Sequence, residues 1–348
     1  MAAMLGLCAW LLRRRAPRVA SLCIGIAMVF GMITATELVL RVAGVGRSAV
    51  DTAYPESYYG INDHGLVGPL PGAHRVVETS LRDNSVIYDV IHTVDEKRRR
   101  VVPGGGGPYS RYAVFVGDSY TYGVGVRDEE TLPAAFARLQ PEAHSYNYGF
   151  QGSGPFDILA GLETTDFAVE VAETAGIVIY TFIDEHVLRT RDFILGASYR
   201  GKRVVYETDA DGNLVRCGTW NTCHPWRHKF VRFIAGSRIR ALTGFEMPLT
   251  PEDFERTART IARMDAVARE RLRGSQLLMV FYPGCRLAPG LIPLLEARGI
   301  RYLDLSQSFE GISPPNILSI YDRHPNAGAY ERVATAISSE CSRQIATP

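Results

Sequence analysis

Residues 111–123 read Arg111-Tyr112-Ala113-Val114-Phe115-Val116-Gly117-Asp118-Ser119-Tyr120-Thr121-Tyr122-Gly123. The short apolar run 112–116 ends at a glycine, as a strand buried on both faces of a parallel sheet does. Ser119 follows on the turn out of that strand. Glycines on both sides let the chain turn tightly and approach a ligand closely. A serine so placed offers its hydroxyl at the upper edge of a sheet without burying it.

Strands and helices alternate from this stretch to the C-terminus. The apolar periodicity predicts helix over 132–139, strand over 145–148, helix over 156–175 and strand over 177–183. After an interruption at 197–245, Thr250-Pro251-Glu252-Asp253 supplies an N-cap, a proline at the first helical position and an acidic third residue. Phe254, Ala258, Ile261, Ala268 and Leu272 then recur at near-helical spacing, and Gly274 marks the stop. Strand over 277–282, helix over 287–297, strand over 301–305 and a closing helix over 327–338 complete the pattern. Alternation of this kind implies an α/β fold with a parallel sheet covered on both faces, and ligands at the carboxyl ends of its strands.

The block Gly117-Asp118-Ser119-Tyr120-Thr121-Tyr122-Gly123 resembles the first block of the SGNH/GDSL hydrolases, Gly-Asp-Ser-x-Thr-x-Gly, at every fixed position. The resemblance implies a flavodoxin-like sheet, Ser119 as nucleophile and no cofactor or metal. Asn147-Tyr148-Gly149-Phe150-Gln151-Gly152-Ser153-Gly154 looks like the second block, with the Gly152 N–H beside that of Ser119 as oxyanion donors. Tyr321-Asp322-Arg323-His324-Pro325-Asn326-Ala327-Gly328 resembles the last block, with the aspartate one residue closer to the histidine than usual. His324 titrates near neutrality, so it can take the Ser119 proton and return it to a leaving alcohol. Asp322 would fix its tautomer, with Asp304 and Asp184 in reserve.

The third block departs from the family. Where an asparagine should follow the strand 177–183, the chain reads Asp184-Glu185-His186-Val187-Leu188-Arg189. An ionised carboxylate repels a developing oxyanion, so Asp184 cannot stand in unless protonated or turned away. Either His186 or Arg189 supplies the missing donor, or the hole consists of two backbone amides and residues 184–189 form an ion-paired strand end. The resemblance covers about residues 111–340 and implies acyl transfer in two steps, through an acyl-enzyme. Its small ester substrates are often acylated carbohydrates, which makes removal of an acetyl group the leading expectation. The same serine and histidine could instead pass the acyl group to a polysaccharide hydroxyl, as an O-acyltransferase. An inactive polysaccharide-binding or envelope scaffold is the reading from another class.

The N-terminus sets the location. Arg13, Arg14, Arg15 and Arg18 precede the apolar run 19–35, which continues to about residue 41 and is long enough to cross a bilayer. The arginines place residues 1–18 in the cytoplasm and everything beyond about 42 outside. A cleaved signal peptide is the rival, with only a poor cleavage pattern near Ala35. A linker and β-containing extension fills 42–110, with β-favouring runs at 74–81 and 85–94 around the polar Arg82-Asp83-Asn84, and an irregular segment or cap over 51–75. The basic run Lys97-Arg98-Arg99-Arg100 reads as a solvated turn, with anionic lipid or polysaccharide as the alternative partner. The catalytic domain takes 111–348. With 38 basic and 37 acidic residues among 348, no broad positive field for nucleic acid exists. Cys8 and Cys23 lie before or within the span, leaving Cys217, Cys223, Cys285 and Cys341 outside. Cys217 and Cys223 close a short loop and are expected to form a disulfide. Free thiols, or a zinc site with His224 and His228, are the alternatives.

Overall fold

Pro17–Val42 forms helix α1, begun by a proline in its first turn, where a missing N–H costs nothing. Its most apolar window has a mean hydropathy of 2.1 and is 6% buried; among the described residues it is the one helix long and apolar enough to cross a membrane. The computed structural model describes residue 10 and residues 16–104, 108–191, 193–196, 199, 201–273, 275–309, 311 and 313–346. Cys8, Arg13, Arg14, Arg15 and Gly274, which carry parts of the thiol, topology and helix-stop expectations, lie outside the described residues.

The extension is more regular than an irregular linker. It holds β1 (Val50–Ala53), a small hairpin of β2 (Tyr59–Ile61) and β3 (Val67–Pro69), and the long antiparallel pair β4 (Gly72–Ser80) and β5 (Val86–Val94). The long pair and its turn stand where the β-favouring runs placed them; Asn84 takes φ 58°, which asparagine tolerates. The basic run corrects the expectation of a solvated turn. Arg98 donates to the carbonyls of Gly60, Gly68 and Pro69, and Arg99 pairs with Asp95 and reaches the Tyr148 hydroxyl. Arg100 is fully buried: its backbone bridges Val94 and Asn147, and its guanidinium binds Asp128 at 2.8 Å and the carbonyls of Tyr122, Gly123 and Val126. Four polar partners make that burial tolerable.

Beyond it come β6 (Arg111–Val116), the single turn α2 (Ser119–Tyr122), α3 (Leu132–Leu139), β7 (Ala143–Asn147), α4 (Pro155–Thr164), β8 (Gly176–Phe182) and the single turn α5 (Glu185–Leu188). An insertion follows, with the hairpin β9 (Val204–Thr208) and β10 (Leu214–Thr219), then α6 (Pro225–Ala235) and α7 (Arg238–Thr243). The chain ends with α8 (Pro251–Arg271), β11 (Leu277–Phe281), α9 (Ala288–Glu296), β12 (Arg301–Asp304) and α10 (Ala327–Ala346). The five-stranded parallel sheet has the order β12-β11-β8-β6-β7. Counted along the chain this is 2-1-3-4-5, the flavodoxin-like order, whose switch point lies between β6 and β8.

Alternating side chains of β6 serve the two faces. Val114 and Val116 pack with Phe156, Ile261 and Leu291 of α4, α8 and α9. Ala113 and Phe115 pack with Phe136 of α3 and Val333 of α10. The helix expected over 156–175 stops at Thr164, with one further turn at Phe167–Glu170, and the closing helix runs on to Ala346. Thr250 caps α8 as its sequence foretold, its N–H and hydroxyl both donating to Asp253 at 2.9 Å. In the insertion, Asp209 holds the β9–β10 turn by accepting from the N–H groups of Asp211 and Asn213, and Cys217 and Cys223 are joined as a disulfide.

Arg100→Met is expected to destabilise the protein by about 3 kcal/mol, because three carbonyls and a carboxylate lose a buried donor. Urea unfolding followed by circular dichroism measures it, and a loss below about 1 kcal/mol would contradict the bridging role.

Candidate active site

The turn out of β6 is built by Gly117 and Asp118. A Cβ on residue 117 would stand 2.0 Å from Thr121 Oγ1, so only glycine fits. Asp118 Oδ1 accepts from the Tyr120 N–H at 3.0 Å, starting α2 and setting Ser119 at its first position. The other oxygen receives Arg189 Nη1 at 2.6 Å, with His186 Nε2 at 3.5 Å. Burial works to raise the Asp118 pKa, but Arg189 and His186 outweigh it and hold the carboxyl well below the usual carboxylate range.

His324 comes from the loop between β12 and α10. Ser319 Oγ accepts from the N–H groups of Tyr321 and Asp322, and the Leu318 N–H donates to the His324 carbonyl, which closes a tight turn. Asn326 then accepts from the Ala329 N–H at the start of α10. The turn brings His324 Nε2 to 2.9 Å from Ser119 Oγ and His324 Nδ1 to 2.6 Å from Asp322 Oδ1. Asp322 Oδ1 also accepts the His324 N–H at 3.0 Å, so the shortened spacing still lets the carboxylate reach the ring. Burial acts to lower the His324 pKa, but the Asp322 bond and charge outweigh it and raise it. The reserve Asp304 is exposed and accepts from the Ser306 N–H instead.

A fourth residue joins this chain, and sequence reading missed it. Glu78 of β4 is buried, and its carboxyl and that of Asp322 are close enough to influence each other's charge. Its cross-strand neighbours Thr52 and Tyr88 both donate to Oε2, at 2.7 and 3.4 Å. Burial, and then the nearby Asp322 charge, push its pKa up to about 7. Of the two carboxyls Glu78 holds a proton the more readily, because the bond to His324 draws Asp322 down. A buried glutamate in an alternating strand was the available signal, but nothing in the sequence pairs residue 78 with residue 322.

Gly152 takes φ 69°, a left-handed conformation suited to glycine; a Cβ there would meet the Tyr199 ring at 3.1 Å and the Arg203 guanidinium at 3.3 Å. Among the described residues neither its N–H nor that of Ser119 donates to a protein acceptor. The third-block residues have partners of their own. Asp184 turns away: Oδ1 accepts from Cys285 Sγ and the Leu287 N–H, and Oδ2 from the Arg286 N–H, ahead of α9. Arg189 Nη1 bridges Asp118 and the Ser153 carbonyl, and His186 Nδ1 bonds the Tyr180 hydroxyl. The Asp118–Arg189 pair is the arrangement of an ion-paired strand end. A cleft of about 710 Å³ opens at the carboxyl ends of β8, β11 and β12, lined among others by Tyr120, Asp184, Glu185, Arg286 and Arg323.

A parallel sheet in this order, with serine, histidine and aspartate in one hydrogen-bonded chain at its carboxyl edge, is a layout suited to serine hydrolase chemistry. No family model and no curated protein matches the chain. Solved structures do. A member of the lipolytic G-D-S-L family from Veillonella parvula is 14% identical over 67% of this chain and 99% of its own, with a TM-score of 0.39. An acetyl xylan esterase from Butyrivibrio proteoclasticus is 14% identical over 69% of this chain and 66% of its own, at 0.42. A family two carbohydrate esterase from Clostridium thermocellum, in complex with cellohexaose, is 8% identical over 71% and 68%, at 0.41.

Two outcomes follow from the charges. Asp322→Asn is expected to move the acid limb of the pH–rate profile to lower pH, because neutral His324 is the working form and its pKa loses the partner that raises it. Turnover should fall by roughly 10²- to 10⁴-fold, and an unmoved limb would mean that Asp322 does not set the histidine's charge. Glu78 loses its proton near 4.5 unfolded but near 7 folded, so its contribution to stability declines as pH rises between those values. Glu78→Gln should flatten that decline in urea titrations; parallel curves for the two proteins would place the proton elsewhere.

Proposed function

We propose that this chain is a membrane-anchored serine ester hydrolase that removes acyl groups, acetyl first among them, from carbohydrate or other small esters outside the cytoplasm. The observation that carries the reading is the hydrogen-bonded series Ser119, His324, Asp322, whose neighbours Tyr120 and Arg323 line a cleft. His324 takes the Ser119 proton as Oγ attacks the ester carbonyl, and the oxyanion forms against the N–H groups of Ser119 and Gly152. His324 returns the proton to the departing alcohol, leaving an acyl-serine. Water, deprotonated by the same imidazole, attacks that ester and releases the acid, and Oγ recovers its proton. Asp322 stays ionised throughout and balances the imidazolium.

Glu185, Arg286 and Arg323 of the cleft offer hydrogen bonds to a hydroxylated substrate. The anchor is α1, oriented by the arginines before it, and the Cys217–Cys223 bond fits an oxidising compartment. A sugar hydroxyl in place of water would make the same site an O-acyltransferase; product analysis with and without an acceptor sugar separates the two.

Against a panel of acetyl and longer acyl esters, Ser119→Ala and His324→Ala should each lower turnover by roughly 10⁴-fold or more, and the double variant should be little worse than either single. Wild-type hydrolysis by Ser119→Ala would remove the nucleophile and the reading with it.

A further inference from the structure

Helix α6 turns outward a face unlike the rest of the surface. Trp226, Phe230 and Phe233 recur at i, i+4 and i+7, so they share one side of the helix, and they are 80%, 63% and 81% exposed. The opposite side is spoken for, with His228 and Val231 buried. Leu242 of α7 and Phe245 just beyond it are exposed too. Between His224 and Phe245 the chain carries Arg227, Lys229, Arg232, Arg238 and Arg240 and no acidic residue, in a protein whose net charge is only +1. Lys229 Nζ lies 4.8 Å from the Trp226 ring. Aromatic side chains on one face with basic ones around them mark a helix that lies in a bilayer surface.

What fixes the partner is where this helix is tied. Glu37 of α1 accepts from the N–H groups of Arg238 and Ile239 and from Ser237 Oγ, and Arg41 donates to the Gly236 carbonyl at the end of α6. Arg238 Nη1 closes the clamp on the Gly46 carbonyl. Helix α1 rises about 27 Å from Val19 to Glu37, close to the ~30 Å of a hydrocarbon core. Glu37 thus marks the level at which α1 leaves the lipid, and the same level is imposed on the junction of α6 and α7. Phe233 lies less than one turn before that junction.

We propose that α6 and the start of α7 form an interfacial foot that rests on the bilayer holding α1, with Trp226, Phe230 and Phe233 among the acyl chains and the exposed Arg227, Lys229 and Arg232 on anionic headgroups. The foot rests on the reading of α1 as a membrane anchor. It adds a second attachment point, so the domain is held against the membrane surface rather than swinging on a tether.

The full-length protein is reconstituted in phosphatidylcholine–phosphatidylglycerol vesicles whose phosphatidylcholine is brominated near the top of the acyl chains. Trp226 emission is isolated as the difference between the parent and Trp226→Tyr, and bromine should cut it roughly in half or further. Replacing Arg227, Lys229 and Arg232 by glutamate should weaken that quenching. Leu22→Trp, early in the apolar run of α1, reports the anchor separately through the emission it adds to that of the parent. If bromine quenches that added emission and leaves Trp226 unquenched, the foot is overturned and the anchor stands; the same result with Trp226 shielded only at high protein-to-lipid ratio points to a second copy of the chain and also overturns it. If neither emission is quenched, the anchor reading fails and the foot with it.

Discussion

A carboxylate with no exposed surface must be paired, and in this fold the pair is Asp118 with Arg189. The consequence is geometric as much as energetic. Asp118 lies on the turn after β6, Arg189 beyond the end of β8, and the same guanidinium nitrogen takes the Ser153 carbonyl in the loop after β7. One side chain therefore ties together the exits of three neighbouring strands around the switch point of the sheet. Ser119 is adjacent to that clamp, and its position is only as well defined as the pair. Removing either partner would leave an isolated charge in the interior, so the arrangement holds both or neither.

The same constraint shapes the segment after β8. Arg189 Nη1 is committed to Asp118 and to the Ser153 carbonyl, and Asp184 to the amides ahead of α9. Among the described residues the amides of Ser119 and the left-handed Gly152 donate to no protein acceptor. The segment contributes by building the turn from which the serine projects.

The extension before β6 belongs to the site in a way its weak sequence signals concealed. Arg100 ties it to the carbonyls that end α2, and Glu78 reaches Asp322 from the middle of β4. A second ionised carboxyl near that point would repel Asp322. Burial of Glu78 between Thr52 and Tyr88 favours its protonated form, and the bond to His324 favours the ionised form of Asp322.

What the sequence determined by itself is whatever depends on local periodicity and short-range chemistry. The buried strand before Gly117, the helix at Leu132–Leu139, the cap at Thr250, the β4–β5 pair, the short disulfide loop and the apolar α1 all follow from neighbours within a few residues. Ser119 and His324 were legible because each sits in a compact motif at a strand end or before a helix. Tertiary structure alone decided the pairings that join distant segments: Arg189 with Asp118, Glu78 with Asp322, the basic run with carbonyls of the fold, and Glu37 with the amides of α7. Such contacts are fixed by strand order and by the need of each buried charge for a partner, and a polar residue's sequence context is the same whichever partner the fold brings to it.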